Sequence, residues 1–377
     1  EILMSTPADS VNSDLQTTMR SIIQRIATGP ELSKDISQEE ARIGTAAIFE
    51  DQVDPVRAAI FFIALRMKRE TAEENRGVLD AIRDYTNTVT ADVDEVVDLV
   101  DPYDGYNRTL PASPFLPAIL AACGAPTVSH GVDSVGPKFG ITHRHVLAAA
   151  GVPVDLTTAQ AAARLADPEL GWSYVDQAKF CPKLHDLVAL RQQMIKRPVL
   201  TTVEVLAKPI EGKQKTHFIT GYVHKPYPPV YAMLARHVGF NSALLLRGTE
   251  GGVIPSLRQA GKYFAYRDMG EEQPVDIDPG SIGIQQDVRA VPLPDNLPQA
   301  TQTVDEVALT VNVEAAAKAA ADAGMAALKG EKGATYDSLV YVGAITLQHL
   351  GKHTDLQSAA EQVRSVLDSG AAAARIK

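Results

Sequence analysis

Apolar residues recur at helical spacing through the first quarter of the chain, and a start signal precedes each recurrence. Ser37-Gln-Glu-Glu40 has the spacing of a capping box, a hydroxyl followed three residues later by a carboxylate. Ile43, Ala47 and Ile48 then follow at helical intervals. Asp54-Pro55 opens a second run through Ile60, Phe61, Ile63, Ala64 and Leu65, with proline in the first turn, where its missing N–H is tolerated. Thr71-Ala-Glu-Glu74 opens a third, through Val78, Leu79 and Ile82. No strand pattern interrupts residues 13–90, so they predict a small helical domain.

Beyond Asp94 the period changes. Val96-Val-Asp-Leu-Val100 is a short β-branched run that ends in the turn Asp101-Pro-Tyr-Asp-Gly105. Residues 115–122 predict an apolar helix, residues 126–129 a strand, and residues 130–136 a loop. Residues 197–206, 217–223 and 243–246 read as strands, and residues 229–238 as a helix. Residues 269–300, rich in Pro and Asp, read as an extended loop or linker, and residues 314–328 and 335–369 as closing Ala-rich helices. Strands alternating with helices imply a mainly parallel sheet with crossovers. The expected class is α/β, a small N-terminal helical domain plus a larger α/β domain around that sheet.

Composition narrows the function classes. The 377 residues exceed one comfortable core, and 45% apolar with 22% charged residues excludes intrinsic disorder. No uninterrupted apolar run approaches the roughly 18–20 residues of a membrane helix. The first residues lack a basic segment leading into an apolar one, so no secretory signal is expected, and Met4-Ser5 has the form of a natural start. Two cysteines, Cys123 and Cys181, exclude a disulfide framework and favour a cytoplasmic home. A net charge of −10 disfavours nucleic acid as a partner. That charge is unevenly spread. Residues 176–268 hold fourteen Lys/Arg and six Asp/Glu, a balance of +8, which leaves −18 elsewhere. A basic middle suggests a site for a small anionic ligand.

Three glycine-bearing loops each follow a strand-like segment: residues 101–109, 130–140 and 247–252. In open parallel sheets ligands bind at the carboxyl ends of strands, and exposed backbone N–H groups can cradle phosphate. Each loop alone is weak, since turns need glycine for geometry. Three after successive strands weigh more. Asp104, Asn107, Arg108, Asp133, Lys138, His143, Arg144, His145, Arg247, Glu250 and Arg258 give them a dense polar set.

Several segments occur in a familiar order. Ile60-Phe-Phe-Ile-Ala-Leu-Arg-Met-Lys-Arg-Glu-Thr71 is similar to an "AFLMALRxKGET" helix pair, and Ala121-Ala-Cys-Gly124 with Ser129-His-Gly131 parallels the approach to a "KHGNR" loop. Cys181-Pro182 through Arg191 and Arg197 keeps the spacing of an "HP…VRRELGxRT" segment, and Leu367-Asp-Ser-Gly370 resembles the end of a last helix. Together, from Ser37 to the C-terminus, they resemble the anthranilate phosphoribosyltransferase family (glycosyltransferase family 3, with a nucleoside phosphorylase-like fold). The resemblance implies a homodimer formed through the helical domain and a ligand cleft between the two domains. It also implies that residues 175–195 rejoin the helical domain, giving boundaries of 1–95 for that domain and 96–174 with 196–377 for the α/β phosphoribosyltransferase-like domain.

The departures define a divergent branch. The family's GTGGD diphosphate loop falls on Asp101-Pro-Tyr-Asp-Gly105, and of its Asn-x-Ser-Thr only Ser113 remains. Ser129 and Asp133 replace the Lys and Arg of KHGNR. The resemblance leaves Mg²⁺ open as a cofactor, but the acidic pair that holds it in the enzymes falls near Val253-Ile254, and hydrophobic side chains cannot coordinate Mg²⁺. Arg191 sits where the family's anthranilate-carboxylate arginine sits. The resemblance thus implies that a phosphoribosyl diphosphate-like anion meets Asp104, Gly105, Asn107, Arg108, Ser113, His130, Gly131, Lys138, Arg191, Arg247, Gly248 and Glu250, with Arg108, Lys138 and Arg247 neutralising diphosphate in place of metal.

Single residues carry competing readings. His143 and His145, with His130 nearby, lack a carboxylate or Cys at metal-ligand spacing and fit a phosphate-facing or helix-opening role better. His130 reads as shaping its loop, and Cys181 as a small buried hydrophobe. Lys262-Tyr-Phe-Ala-Tyr-Arg267 interleaves cations and aromatics as single-strand binders do, but also as a strand with alternating faces does. Lys225 faces a ligand or merely solvent. Two functions follow: a pentosyl-transferring enzyme with true anthranilate transfer in doubt, or a non-catalytic binder of nucleic acid or a protein partner, since a related branch is known as dimers that bind nucleic acid through a basic groove.

Overall fold

The capping signals set the first helices. In the computed structural model, which describes residues 7–377, Ser37 Oγ accepts from Glu40 N and the Glu40 carboxylate accepts from Ser37 N, opening the helix Gln38–Phe49. Met4-Ser5 lies outside the described residues. Asp54 accepts from Arg57 N ahead of Pro55–Lys68, and Thr71 with Glu74 repeats the capping box ahead of Ala72–Asp84. With Pro7–Ile26, these helices bury Met19, Ile22, Phe61, Phe62, Leu65, Val78 and Ile82 almost completely.

Two compact units emerge, one of residues 1–86 with 181–207, the other of residues 87–180 with 208–377. The first is helical. Its second segment adds the short helices Pro182–His185, Val188–Met194 and Val199–Val203, then a 3₁₀ turn Glu204–Leu206. This corrects the expected strand over residues 197–206. Its β-branched run (Val199, Thr201, Thr202, Val203) suits a strand locally, but Val199, Leu200 and Val203 are fully buried in a helical unit, and packing overrides that preference. The chain accordingly leaves the helical unit at 207 rather than at the expected 195.

The second unit is built on a seven-stranded sheet. Besides a small parallel pair, β1 (Val89–Thr90) with β5 (Ile210–Glu211), its strands are β2 (Glu95–Val100), β3 (Thr127–Gly131), β4 (Trp172–Asp176), β6 (Lys215–Gly221), β7 (Ser242–Leu246), β8 (Gly261–Tyr266) and β9 (Gln273–Ile277). Their order is β4-β3-β2-β6-β7-β8-β9. The first five run parallel, and β8 and β9 add on antiparallel. β7 reads as a near-continuous apolar run, and every residue of β3 and β7 is buried, because parallel strands are covered on both faces. The helices Leu116–Ala122, Val313–Leu328, Ala334–His349 and Leu356–Ser369 supply one main core with residues such as Leu116, Leu339, Ile345 and Leu367.

Three further expectations shift. His130 and Gly131, expected in a loop, are the last residues of β3. The expected linker of residues 269–300 contains β9, which tolerates Pro274 because it lies at the sheet edge. Residues 335–369 form two helices, separated at Gly351, whose φ of +77° suits glycine. β4 and the helices His143–Ala149 and Thr158–Ala166 add to the expected elements.

Candidate functional site

Glu250 joins the three glycine-bearing loops. It sits after β7 with its side chain buried, yet its carboxylate reaches back to the loop after β2. Oε1 accepts from Asn107 N at 3.0 Å, and Oε2 accepts from Arg108 N at 3.3 Å and Thr109 Oγ1 at 2.6 Å. Lys138, from the loop after β3, donates to Oε1 at 3.0 Å. Arg108 Nε stands 3.9 Å away, its side chain 74% exposed. Burial pushes the Glu250 carboxyl up, but Thr109, the Asn107 amide and Lys138 outweigh it and hold the pKa below the usual range. Glu250 has a φ of 55°, a left-handed conformation that costs an L-residue about 1–2 kcal/mol. The four donors offset that strain.

The donors form an anion cradle: two successive backbone N–H groups, a hydroxyl and an ammonium. The chain's own carboxylate fills it. The glycines around it are set by close packing. Gly105 has a φ of +79°, and a Cβ there would lie 2.5 Å from Ile141 O. A Cβ on Gly248 would lie 1.7 Å from Gly252 O.

A second polar network lies beneath the turn after β2. Asp101 Oδ2 accepts from Ser113 Oγ and stands 2.6 Å from His143 Nε2, while Oδ1 accepts from Val253 N at 3.1 Å. Burial alone would raise the Asp101 carboxyl, but His143, Ser113 and Tyr106 lower it. Burial and the Asp101 charge push the Tyr106 hydroxyl well above its ordinary value. His145 opens its helix, its ring accepting from Thr142 N, and its Nε2 stands 3.0 Å from Asp133 Oδ1. A third network is fully buried: His130 Nε2 lies 2.8 Å from Asp98 Oδ1, with Tyr103 Oη on its other nitrogen. Ser113 and His130 are therefore enclosed rather than presented. Gly131 pairs with Asp176, and Asp104 is buried, its carbonyl accepting from Gly140 N.

Arg191 belongs to the helical unit, where it is buried with both fork nitrogens on Glu204, one at 3.0 Å. Its charge is neutralised there by Glu204. Cys181 is buried and its thiol pushed up by burial, so it is no nucleophile in this state.

The donor set does not fit Mg²⁺. Val253 and Ile254 are buried apolar residues, and the nearby carboxylates, Glu250 and Asp101, are committed to Lys138 and His143. Among the described residues no group of three His, Cys, Asp or Glu is arranged to hold a metal ion.

Arg247 lines a separate cavity of about 600 Å³ with Tyr222, Lys225, Gly248, Thr249, Lys262, Phe264 and Arg289. Lys225 and Lys262 were legible as basic residues of the middle stretch. Arg289 was not, because it stands within the expected linker. Thr109 carried no signal either, since only the fold brings it to Glu250.

The helical bundle domain of the glycosyl transferase family matches residues 20–86, and that family's a/b domain matches residues 104–373. The chain belongs to glycosyltransferase family 3. This family 3 chain is 27% identical over 363 residues to an anthranilate phosphoribosyltransferase of Rhodopseudomonas palustris, covering 95% of this chain and 96% of that protein. It is 30% identical over 222 residues to an uncharacterized protein of Aquifex aeolicus, covering 59% of this chain and 65% of that one. Its fold matches the anthranilate phosphoribosyltransferase of Thermus thermophilus with a TM-score of 0.70 at 20% identity, over 95% of this chain and 97% of that one. It also matches the Saccharomyces cerevisiae enzyme in complex with PRPP and Mg, with a TM-score of 0.72 at 15% identity over 96% of each chain. Among the described residues no helix is long and apolar enough to cross a membrane.

Proposed function

We propose that this chain is a phosphoribosyltransferase-like protein that takes a phosphorylated pentose, of the phosphoribosyl diphosphate kind, at the loops that follow β2, β3 and β7. The observation that carries the reading is the cradle of Asn107 N, Arg108 N, Thr109 Oγ1 and Lys138 Nζ, already holding an anion in the form of the Glu250 carboxylate. The yeast relative in complex with PRPP and Mg supports the ligand class.

Diphosphate enters this cradle by displacing the Glu250 carboxylate. The cradle's N–H groups and Lys138 accept the charge, and Arg108, exposed beside them, adds a guanidinium fork. In pentosyl transfer the bond from C1 to the diphosphate oxygen breaks, the electron pair leaves with diphosphate, and the acceptor bonds to C1. Prearranged donors around the leaving diphosphate are what such a step needs. In this reading the charge of the leaving diphosphate is met by these donors.

Anthranilate is disfavoured as acceptor, since Arg191 is held by Glu204. A cytoplasmic homodimer belongs to the same proposal, supported by two buried free cysteines and by the family. The test is calorimetric titration with phosphoribosyl diphosphate. Glu250→Gln is expected to bind more tightly than the natural protein, and Lys138→Ala less tightly. No binding to either the natural protein or Glu250→Gln rejects the reading.

A further inference from the structure

Four cations line one cavity, and no carboxylate does. At the carboxyl ends of β6 and β7, Lys225, Arg247, Lys262 and Arg289 surround a volume of about 600 Å³. All four are exposed, and among the described residues none of them takes an ion pair. Elsewhere the fold pairs its cations closely: Lys138 with Glu250, Arg191 with Glu204, Arg236 with Glu272. Four unpaired like charges around one concavity repel each other, and a multivalent anion relieves that repulsion.

The cavity also has an apolar side. Tyr222, largely buried after β6, and Phe264, on β8, stand with ring centroids 6.5 Å apart. Lys262 and Phe264 are two residues apart on β8 and so share the face that lines the cavity, while Tyr263 between them is buried on the other. The volume lies within the roughly 300–1,000 Å³ of small-molecule sites.

We propose that this cavity binds a compact phosphate ester with several negative charges beside a planar ring, the chemistry of a nucleoside diphosphate. The phosphates meet Lys225, Arg247, Lys262 and Arg289, and the ring meets Tyr222 and Phe264. Glu250 does not line the cavity, although Gly248 and Thr249 of its loop do. The site therefore stands whether or not the cradle takes a phosphorylated pentose.

Titration calorimetry with ADP at low salt tests it on the natural protein and on Lys262→Ala/Arg289→Ala. Both residues of the double variant are exposed, and a melting curve confirms that it folds. Lys262→Glu serves as a second variant. The expected result is ADP binding that falls about tenfold or more in the double variant, as loss of charged hydrogen bonds implies, and that falls further in Lys262→Glu. Adenosine binds far more weakly. No heat with ADP, equal affinity for adenosine, or an affinity indifferent to the double variant overturns the proposal. So does a single-stranded oligothymidylate that occupies the site and that ADP fails to displace.

Discussion

Lys138 Nζ lies 3.0 Å from Glu250 Oε1, and this contact ties the loop after β3 to the loop after β7 across 112 residues of sequence. The same carboxylate receives the backbone of Asn107 and Arg108 from the loop after β2. One side chain thus holds together the three glycine-bearing loops.

Glu250→Gly removes the strain of a positive φ and, with it, every cradle contact. Relief is worth about 1–2 kcal/mol, while stranding partly buried donors costs about 1–3 kcal/mol each. Urea unfolding should therefore show a less stable variant. A gain in stability would mean that the carboxylate contributes little.

Arg191 and Glu204 form a buried pair, with side chains 2% and 1% exposed. Removing one partner leaves the other uncompensated, so Glu204→Gln should lose about 3–5 kcal/mol. Arg191→Met/Glu204→Leu should lose much less, because it strands no charge. Equal losses in the two variants would show that Arg191 is not primarily tied to Glu204.

Gly252 has no room for a side chain, since a Cβ there would lie 1.8 Å from Tyr106 Oη. Gly252→Ala should destabilise by about 1–3 kcal/mol, the usual cost of overpacking, and Tyr106→Phe should restore part of it. Gly261→Ala, where nothing lies within 4 Å, should be close to neutral. Thermal melts of the three variants check the pattern.

His349 controls part of the acid stability. Burial first, then the Arg267 and His217 charges, pushes its pKa down to about 3, and its Nε2 lies 3.0 Å from Ser242 Oγ. The unfolded chain takes up this proton below its ordinary value of 6.5 and the folded chain does not. Stability contributed by His349 is thus complete above that pH and falls as pH drops towards the folded value, by up to about 1.4 kcal/mol per pH unit. Urea midpoints at pH 7 and pH 5 should separate less in His349→Gln than in the natural protein. An unchanged separation would rule His349 out as the source.

Much of the fold was legible because its signals are local. Ser37, Asp54 and Thr71 mark helix starts within four residues, and β2 declares itself in five. Residues 197–206 misled because Val199, Thr201, Thr202 and Val203 favour a strand until packing in the helical unit decides otherwise. The three loops were legible as glycine-bearing segments after strands. What they hold was not. Glu250 meets Asn107 across 143 residues, and Arg289 enters the basic cavity from a stretch that reads as linker. Arg191 showed the converse: its position matches a family motif, but its partner Glu204 lies in a segment whose structure was misread.

The central claim is that the Glu250 carboxylate occupies a cradle built for phosphate. Calorimetric titration of phosphoribosyl diphosphate into the natural protein, Glu250→Gln and Lys138→Ala tests it most directly. Gln keeps the shape but removes the competing charge, so Glu250→Gln should bind about tenfold more tightly and Lys138→Ala about tenfold more weakly than the natural protein, the scale of one charged hydrogen bond. Equal affinities in all three, or no heat from any, would contradict it.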